Sequence, residues 1–167
     1  AGIFCVFRMA LTLGMLMCEL EDRIGVVPVD YCADALEVWL TAENVDKRIL
    51  HVSAGRNSSV PCAEIDEAMA EASGQIPVAG TYHKVNYREL AESKKSFSSL
   101  FGPYNERIVL RAMNLYGHFS KLNVVFSNDK LLELGMPPSS KFTDYLHRCV
   151  TSTKDATIAE LMEVDFK

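Results

Sequence analysis

The sequence predicts an α/β fold, helix-rich with a small, mainly parallel sheet, and three observations carry that prediction. The stretch Ile24 to Val29 places β-branched residues at Ile24, Val26, Val27 and Val29 in one apolar run, interrupted by Pro28 and followed at Asp30 by a helical pattern. Such a run suits a strand buried on both faces, and Asp30 suits the cap of the helix behind it. A second apolar run, Arg48 to Gly55, follows that helix, so strand, helix and strand succeed one another as in a βαβ unit with a right-handed crossover. The balance of 49% hydrophobic and 23% charged residues in 167 is that of a folded globular chain, long enough for one core.

Each element has its own signal. Residues 1–18 have helical length, with Phe4, Phe7, Ala10, Leu11 and Met15 on one stripe. They contain one charge, Arg8, and Gly14 breaks the run, so a buried helix is expected here and not a membrane span. Met9, Met15 and Met17 read as core filler, though thioethers also suit an adaptable apolar pocket. After Asp30 the helix runs through Ala33, Leu36, Trp39 and Leu40, which share a face, and ends near Asn44. Pro61 and Glu64 open a further helix with Ile65, Ala68, Met69 and Ala72 inward, and Gly74 stops it. Residues 75–85 hold at most a short edge strand, and 87–100 are amphipathic, with Gly102-Pro103 as punctuation. Ile108, Val109, Ala112, Met113 and Tyr116 mark a helix over 105–119, 123–126 a short strand, and 129–134 a helical turn. A linker over 135–140, a helix over 142–150 and a last helix over 157–162 complete the chain.

Composition excludes several function classes. A net charge of −5 with only Lys47-Arg48 and Lys94-Lys95 as adjacent basic pairs argues against a nucleic-acid surface. The five cysteines are odd in number, scattered and without a C-x-x-C pair, so neither a zinc site of the usual spacing nor a full disulfide framework is expected; a reducing, cytoplasmic setting fits them. No G-x-G-x-x-G, P-loop, G-x-S-x-G or H-E-x-x-H occurs, and no tyrosine has a lysine four positions on. No catalytic, cofactor-binding or metal residue is therefore assigned within the chain. His51, His83, His118 and His147 are scattered; His51, inside the second strand, lies nearest the expected sheet edge. Arg23, just ahead of the first strand, is the cation best placed to grip a phosphate or carboxylate in the crevice where a strand gives way to a helix.

The segment Val27-Pro28-Val29-Asp30-Tyr31-Cys32-Ala33-Asp34-Ala35-Leu36 resembles one in the extended short-chain dehydrogenase/reductases, the NAD-dependent epimerase/dehydratase superfamily, and particularly the branch of thioester reductases and fatty acyl-CoA reductases. Arg23 seven residues before Asp30, the run Ile49 to Gly55, the helix carrying Glu64 and the segment Val125 to Pro138 are similar in order; the likeness is good over 22–73 and 123–150. It implies the C-terminal half of a Rossmann-type NAD(P)-binding fold with a substrate-binding lobe, in one domain over 1–167. In such enzymes the Gly-rich loop and the Ser, Tyr and Lys catalytic residues lie upstream of where this chain starts. NADP or NAD would then be bound mainly by residues outside it, and the chain alone would be inactive. What the resemblance assigns here is the substrate side: Arg23 toward a phosphate of a nucleotide or coenzyme A, and Gly25, Val26, Val27 and Pro28 lining the cleft beside an acyl or carbonyl group. The N-terminal half, or another chain, would cover the exposed sheet edge. The alternative is a non-catalytic ligand- or protein-binding domain of the same ancestry, and a third reading attaches the chain to a membrane through residues 1–18.

Overall fold

The computed structural model describes residues 2–43, 49–97, 99, 106–158 and 160–161. Helix α1 (Gly2–Leu13) is apolar almost all round, and the consequence is burial: Phe4, Cys5, Val6, Phe7, Met9, Ala10 and Leu11 are all in the core. No helix among the described residues is long and apolar enough to cross a membrane. Gly14 ends α1 in the left-handed region, at φ 64°, and strand β1 (Met15–Leu16) leaves from it. Strand β2 (Arg23–Ile24), helix α2 (Val29–Thr41), the single turn α3 (Gly55–Ser58), strand β3 (Val60–Pro61) and helix α4 (Cys62–Ser73) follow.

Gly74 closes α4 at φ 65°, its N–H reaching the carbonyls of Ala70 and Glu71, as its place in the sequence requires. Asp66, buried on α4, accepts the N–H groups of Val78 (3.2 Å) and Ala79 (2.8 Å) and so anchors the 3₁₀ turn Val78–Gly80. Strand β4 (His83–Lys84) is the short strand expected in that region, and it runs parallel to β1. Helix α5 (Tyr87–Glu92) starts in a capping box of Asn86 and Glu89 and tightens into a 3₁₀ turn over Ser93–Ser96. Helices α6 (Glu106–Ser120), α7 (Asp129–Glu133) and α8 (Phe142–Ser152) complete the list. Gly102, Pro103 and Asn105, the expected end of the second helix near Asn44 and residues 159 and 162 of the expected terminal helix lie outside the described residues.

The inward stripes of α1, α4, α6 and α8 meet in one large core. Ile65, Val109, Leu146 and Phe142 are among its buried members, α4 lies along α8, and the rings of Phe7 and Phe142 approach to 6.1 Å. A second, smaller core holds only Tyr31, Ala35, Leu131 and Met136, between α2 and α7.

The helix-rich α/β character therefore holds, with the strands among the described residues reduced to two short ladders, one parallel and one antiparallel. Three sequence expectations are corrected. Of the expected strand over 24–29, only Ile24 belongs to a ladder, and β2 pairs antiparallel with β3, Arg23 opposite Pro61. Pro28 has no N–H to give to a ladder, and the chain is already turning into α2 there. The described part of the second run, Ile49 to Ser53, is irregular and unpaired, and 123–126 form no strand because Asn123 turns the chain at φ 44°. The face of Ala33, Leu36, Trp39 and Leu40 is turned out of the core, since α2 buries the other side, at Tyr31 and Ala35.

Candidate functional site

The expected site begins where β2 gives way to α2. Pro28 occupies the N-cap position in extended conformation, φ −64° and ψ 153°, and provides no side-chain cap. Asp30, expected as the cap, sits inside the first turn, where its carboxylate accepts the N–H of Tyr31 (2.9 Å) and places negative charge at the positive end of the helix. Between β2 and that turn, Val26 leans on the large core and Val27 on the small one, so Gly25 to Pro28 form the backbone bridge between them. Gly25 is exposed, yet a Cβ there would stand 3.2 Å from Ser59 Oγ and 3.5 Å from Ala54 Cβ. A side chain at residue 25 would press on Ser59, so the absence of one suits this close passage.

Arg23 is half-buried beside this bridge. Its backbone N–H donates to Asn123 Oδ1 at 3.0 Å. Its Nη2 donates to the carbonyls of Ser59 and, at 3.4 Å, Arg56, which close the end of α3. A guanidinium there satisfies carbonyls that the turn leaves unpaired. Nε is buried without a partner, and Nη1 makes no hydrogen bond among the described residues. One side of the cation is thus engaged with the fold.

The neighbouring segments are stitched together by polar bonds that periodicity could not announce. Tyr31 donates its hydroxyl to the Pro137 carbonyl (3.1 Å), Ser58 to Ser139 (2.5 Å) and Ser53 to Phe126 (2.8 Å), while Asn128 Nδ2 donates to Ser53 (3.2 Å). Gly55 makes the packing possible: at φ 62° its hypothetical Cβ would sit 2.1 Å from Asn128 Oδ1. Burial pushes the Tyr31 phenol upward, the nearby Asn128 amide opposing it in part. These bonds draw residues 123–140 onto residues 51–59 and the head of α2. Residues 51–59 and 123–140, far apart in sequence, are thus brought together beside Arg23. Among the site residues, Tyr31, Gly55, Ser58 and Asn128 had no reading as site-builders in the sequence; a glycine closing an apolar run is the one signal that could have marked them.

Among the described residues, the four histidines lie apart. His51 stacks edge-on with Phe126 at 5.8 Å, and His83, His118 and His147 are exposed in separate elements. Tyr82, Lys84 and Glu19 form a surface cluster, with the Tyr82 hydroxyl 2.9 Å from Glu19 and Lys84 paired to the same carboxylate. The hydrogen bonds from Lys84, then Tyr82, hold the Glu19 carboxyl below its usual range. Tyr82 is pushed up to about 12 by burial and then by Glu19, the opposite of what a phenolate base requires. No three His, Cys, Asp or Glu side chains among the described residues are grouped to hold a metal ion.

Beside the site, the exposed face of α2 and residues 49–52 enclose an apolar groove of about 790 Å³ lined by Leu36, Trp39, Leu40, Ile49, Leu50 and Val52. The chain matches no family model, and it matches neither a curated protein nor a solved structure.

Proposed function

We propose that the chain is the substrate-binding part of an NAD(P)H-dependent oxidoreductase that reduces an activated acyl group, as a thioester, or a carbonyl. In this reading the C-terminal half of a Rossmann-type domain is completed by a cofactor-binding half contributed by other residues of the intact protein or by another chain. Nicotinamide supplies hydride to the carbonyl carbon, and the proton donor comes with that other half. This chain contributes pocket walls: Gly25, Val26, Val27 and Pro28 beside the reacting carbonyl, and the Arg23 guanidinium against a phosphate of the carrier.

One observation carries the reading. Ile49 to Val52 make no backbone hydrogen bonds among the described residues and stand beside a helix whose apolar face is also uncovered. An apolar segment whose backbone pairs with no strand among the described residues is what an inner strand leaves when its neighbour is absent, and ligands in open α/β folds bind where such strands end.

Two titrations test it. NADPH added to the chain alone is expected to give no change in Trp39 fluorescence, and saturable micromolar binding would mean that the cofactor site has been misplaced. An acyl-coenzyme A thioester is expected to bind, with Arg23→Ala weakening it about tenfold, the loss of one charge-assisted contact. Equal affinity in the variant would remove Arg23 from the site, and no binding to the unaltered chain would remove the substrate assignment.

A further inference from the structure

Helix α6 carries large apolar residues on two faces, and the core uses one of them. Val109, Ala112 and Met113 are buried in the large core. Arg107, Arg111, Leu115, His118 and Phe119 recur at three- and four-residue intervals, share the other face and are exposed, and Leu122 continues the interval just past the helix end. Leu115 is 62% and Leu122 58% exposed, and neither they nor Phe119 belong to either core. Burial within this chain does not account for them.

Charge is segregated along the same stretch. Residues 107–128 contain Arg107, Arg111 and Lys121 and no Asp or Glu, in a chain with 22 acidic residues among 167 and a net charge of −5. None of these three cations is in an ion pair among the described residues, and Glu106, the one acidic residue of α6, is paired with Lys94 at 2.7 Å. The turn behind the helix is held in place: Asn123 Oδ1 accepts the Arg23 N–H, and the Phe126 carbonyl accepts the Ser53 hydroxyl. The exposed apolar face of α2 has the opposite character, because Asp34, Glu37 and Glu43 stand among and behind Leu36 and Leu40.

We propose that the outer face of α6 and the turn behind it dock on a bilayer surface that contains anionic phospholipid. An attachment in the plane of the interface needs apolar side chains to enter the headgroup region, cations to meet the lipid phosphates, and no carboxylates to be repelled by them. This face meets all three demands, and it does so without a spanning helix. Over the roughly 21 Å of helix axis from Arg107 to Lys121 the cations are spread along the footprint instead of clustered, which suits a continuous array of phosphates.

The test is co-sedimentation of the full chain with vesicles of phosphatidylcholine and phosphatidylserine, against vesicles of phosphatidylcholine alone. The chain should bind the anionic vesicles and lose most of that binding in high salt or on the neutral ones. Arg107→Gln with Arg111→Gln should weaken binding about twentyfold, at roughly fivefold for each cation lost from a charged surface. Leu115→Ser with Leu122→Ser should weaken it at least about tenfold, because the charge is kept and the apolar insertion is lost. All four side chains are exposed, so far-UV circular dichroism should match that of the unaltered chain. Failure to sediment with the anionic vesicles would overturn the proposal, as would equal binding to both vesicle types. Binding that falls with the arginines but not with the leucines would also overturn it, since it would reduce the effect to charge attraction without docking. Capture by poly-glutamate in place of the vesicles would assign the face to an acidic protein instead. Leu40→Ser on α2 should bind vesicles as the unaltered chain does, and a loss equal to that of the leucine pair would move the docking surface to α2.

Discussion

The two cores of this molecule are built from the same kinds of residue, yet only one is closed. Around α1, α4, α6 and α8, apolar stripes face one another, so that Met9, Ile65, Val109 and Leu146 are fully enclosed. Around α2 the same chemistry is half-clothed: Tyr31 and Ala35 meet Leu131 and Met136, while Leu40 is 77% and Ile49 80% exposed. The large core is held by burial, and the small one by directed polar bonds through Tyr31, Ser58 and Asn128. Burial tolerates adjustment but costs in proportion to volume lost; hydrogen-bonded seams depend on a few backbone conformations.

The largest effect should separate the two regions. Leu146→Ala removes side-chain volume from an enclosed site and should cost about 3 kcal/mol in urea unfolding, with little collapse of the cavity. Gly55→Ala should cost about 2 kcal/mol, through a left-handed φ and the collision with Asn128. Its signature differs as well: amide exchange should rise over residues 51–59 and 123–140 while α4 and α8 stay protected. A uniform rise across both regions would mean that the cores unfold as one unit.

A smaller effect lies within the large core. The Tyr145 hydroxyl is buried without a hydrogen-bond partner, and burial pushes its pKa up to about 12. A raised folded-state value means that the native form keeps its proton longer than the unfolded form. The stabilising contribution is full below about pH 10, the unfolded value, and falls as pH rises from there through about 12. Tyr145→Phe deletes an unsatisfied group without leaving a cavity and should stabilise by about 1 kcal/mol near neutrality. It should also flatten the alkaline limb of the Tm-against-pH curve. A loss of stability would reveal a partner for that hydroxyl, such as a bound water.

How much of this was legible in the sequence depends on what a pattern can encode. The stripes of α1 and α4, Gly74 as a stop and the helix over residues 106–120 follow from local periodicity and capping, and they were legible. The stripe of α2 was legible as a shared face, but its exposure was not, because periodicity says that a face seeks cover and not where the cover is. Arg23 was legible as a cation at a strand start. That half of its guanidinium would be committed to the carbonyls of Arg56 and Ser59 depends on a turn thirty residues away. The fit of Gly55 under Asn128 joins two segments by shape, and no short window of sequence contains both.

The smallest expected effect bears most directly on function. Leu40→Ser on the uncovered face of α2 changes a side chain that touches little of the fold, so the chain alone should keep its stability to within about 0.5 kcal/mol. If that face is an unfinished core awaiting a cofactor-binding half, the same change should weaken association with that half at least about tenfold, since a buried leucine contributes 1.5–3 kcal/mol. The pair of measurements, unfolding of the chain and pull-down by the completing segment, separates a face that is merely exposed from one that is shaped to be covered. Lost stability in the chain alone would place Leu40 inside the small core, and association unchanged by the substitution would mean that the completing half binds elsewhere.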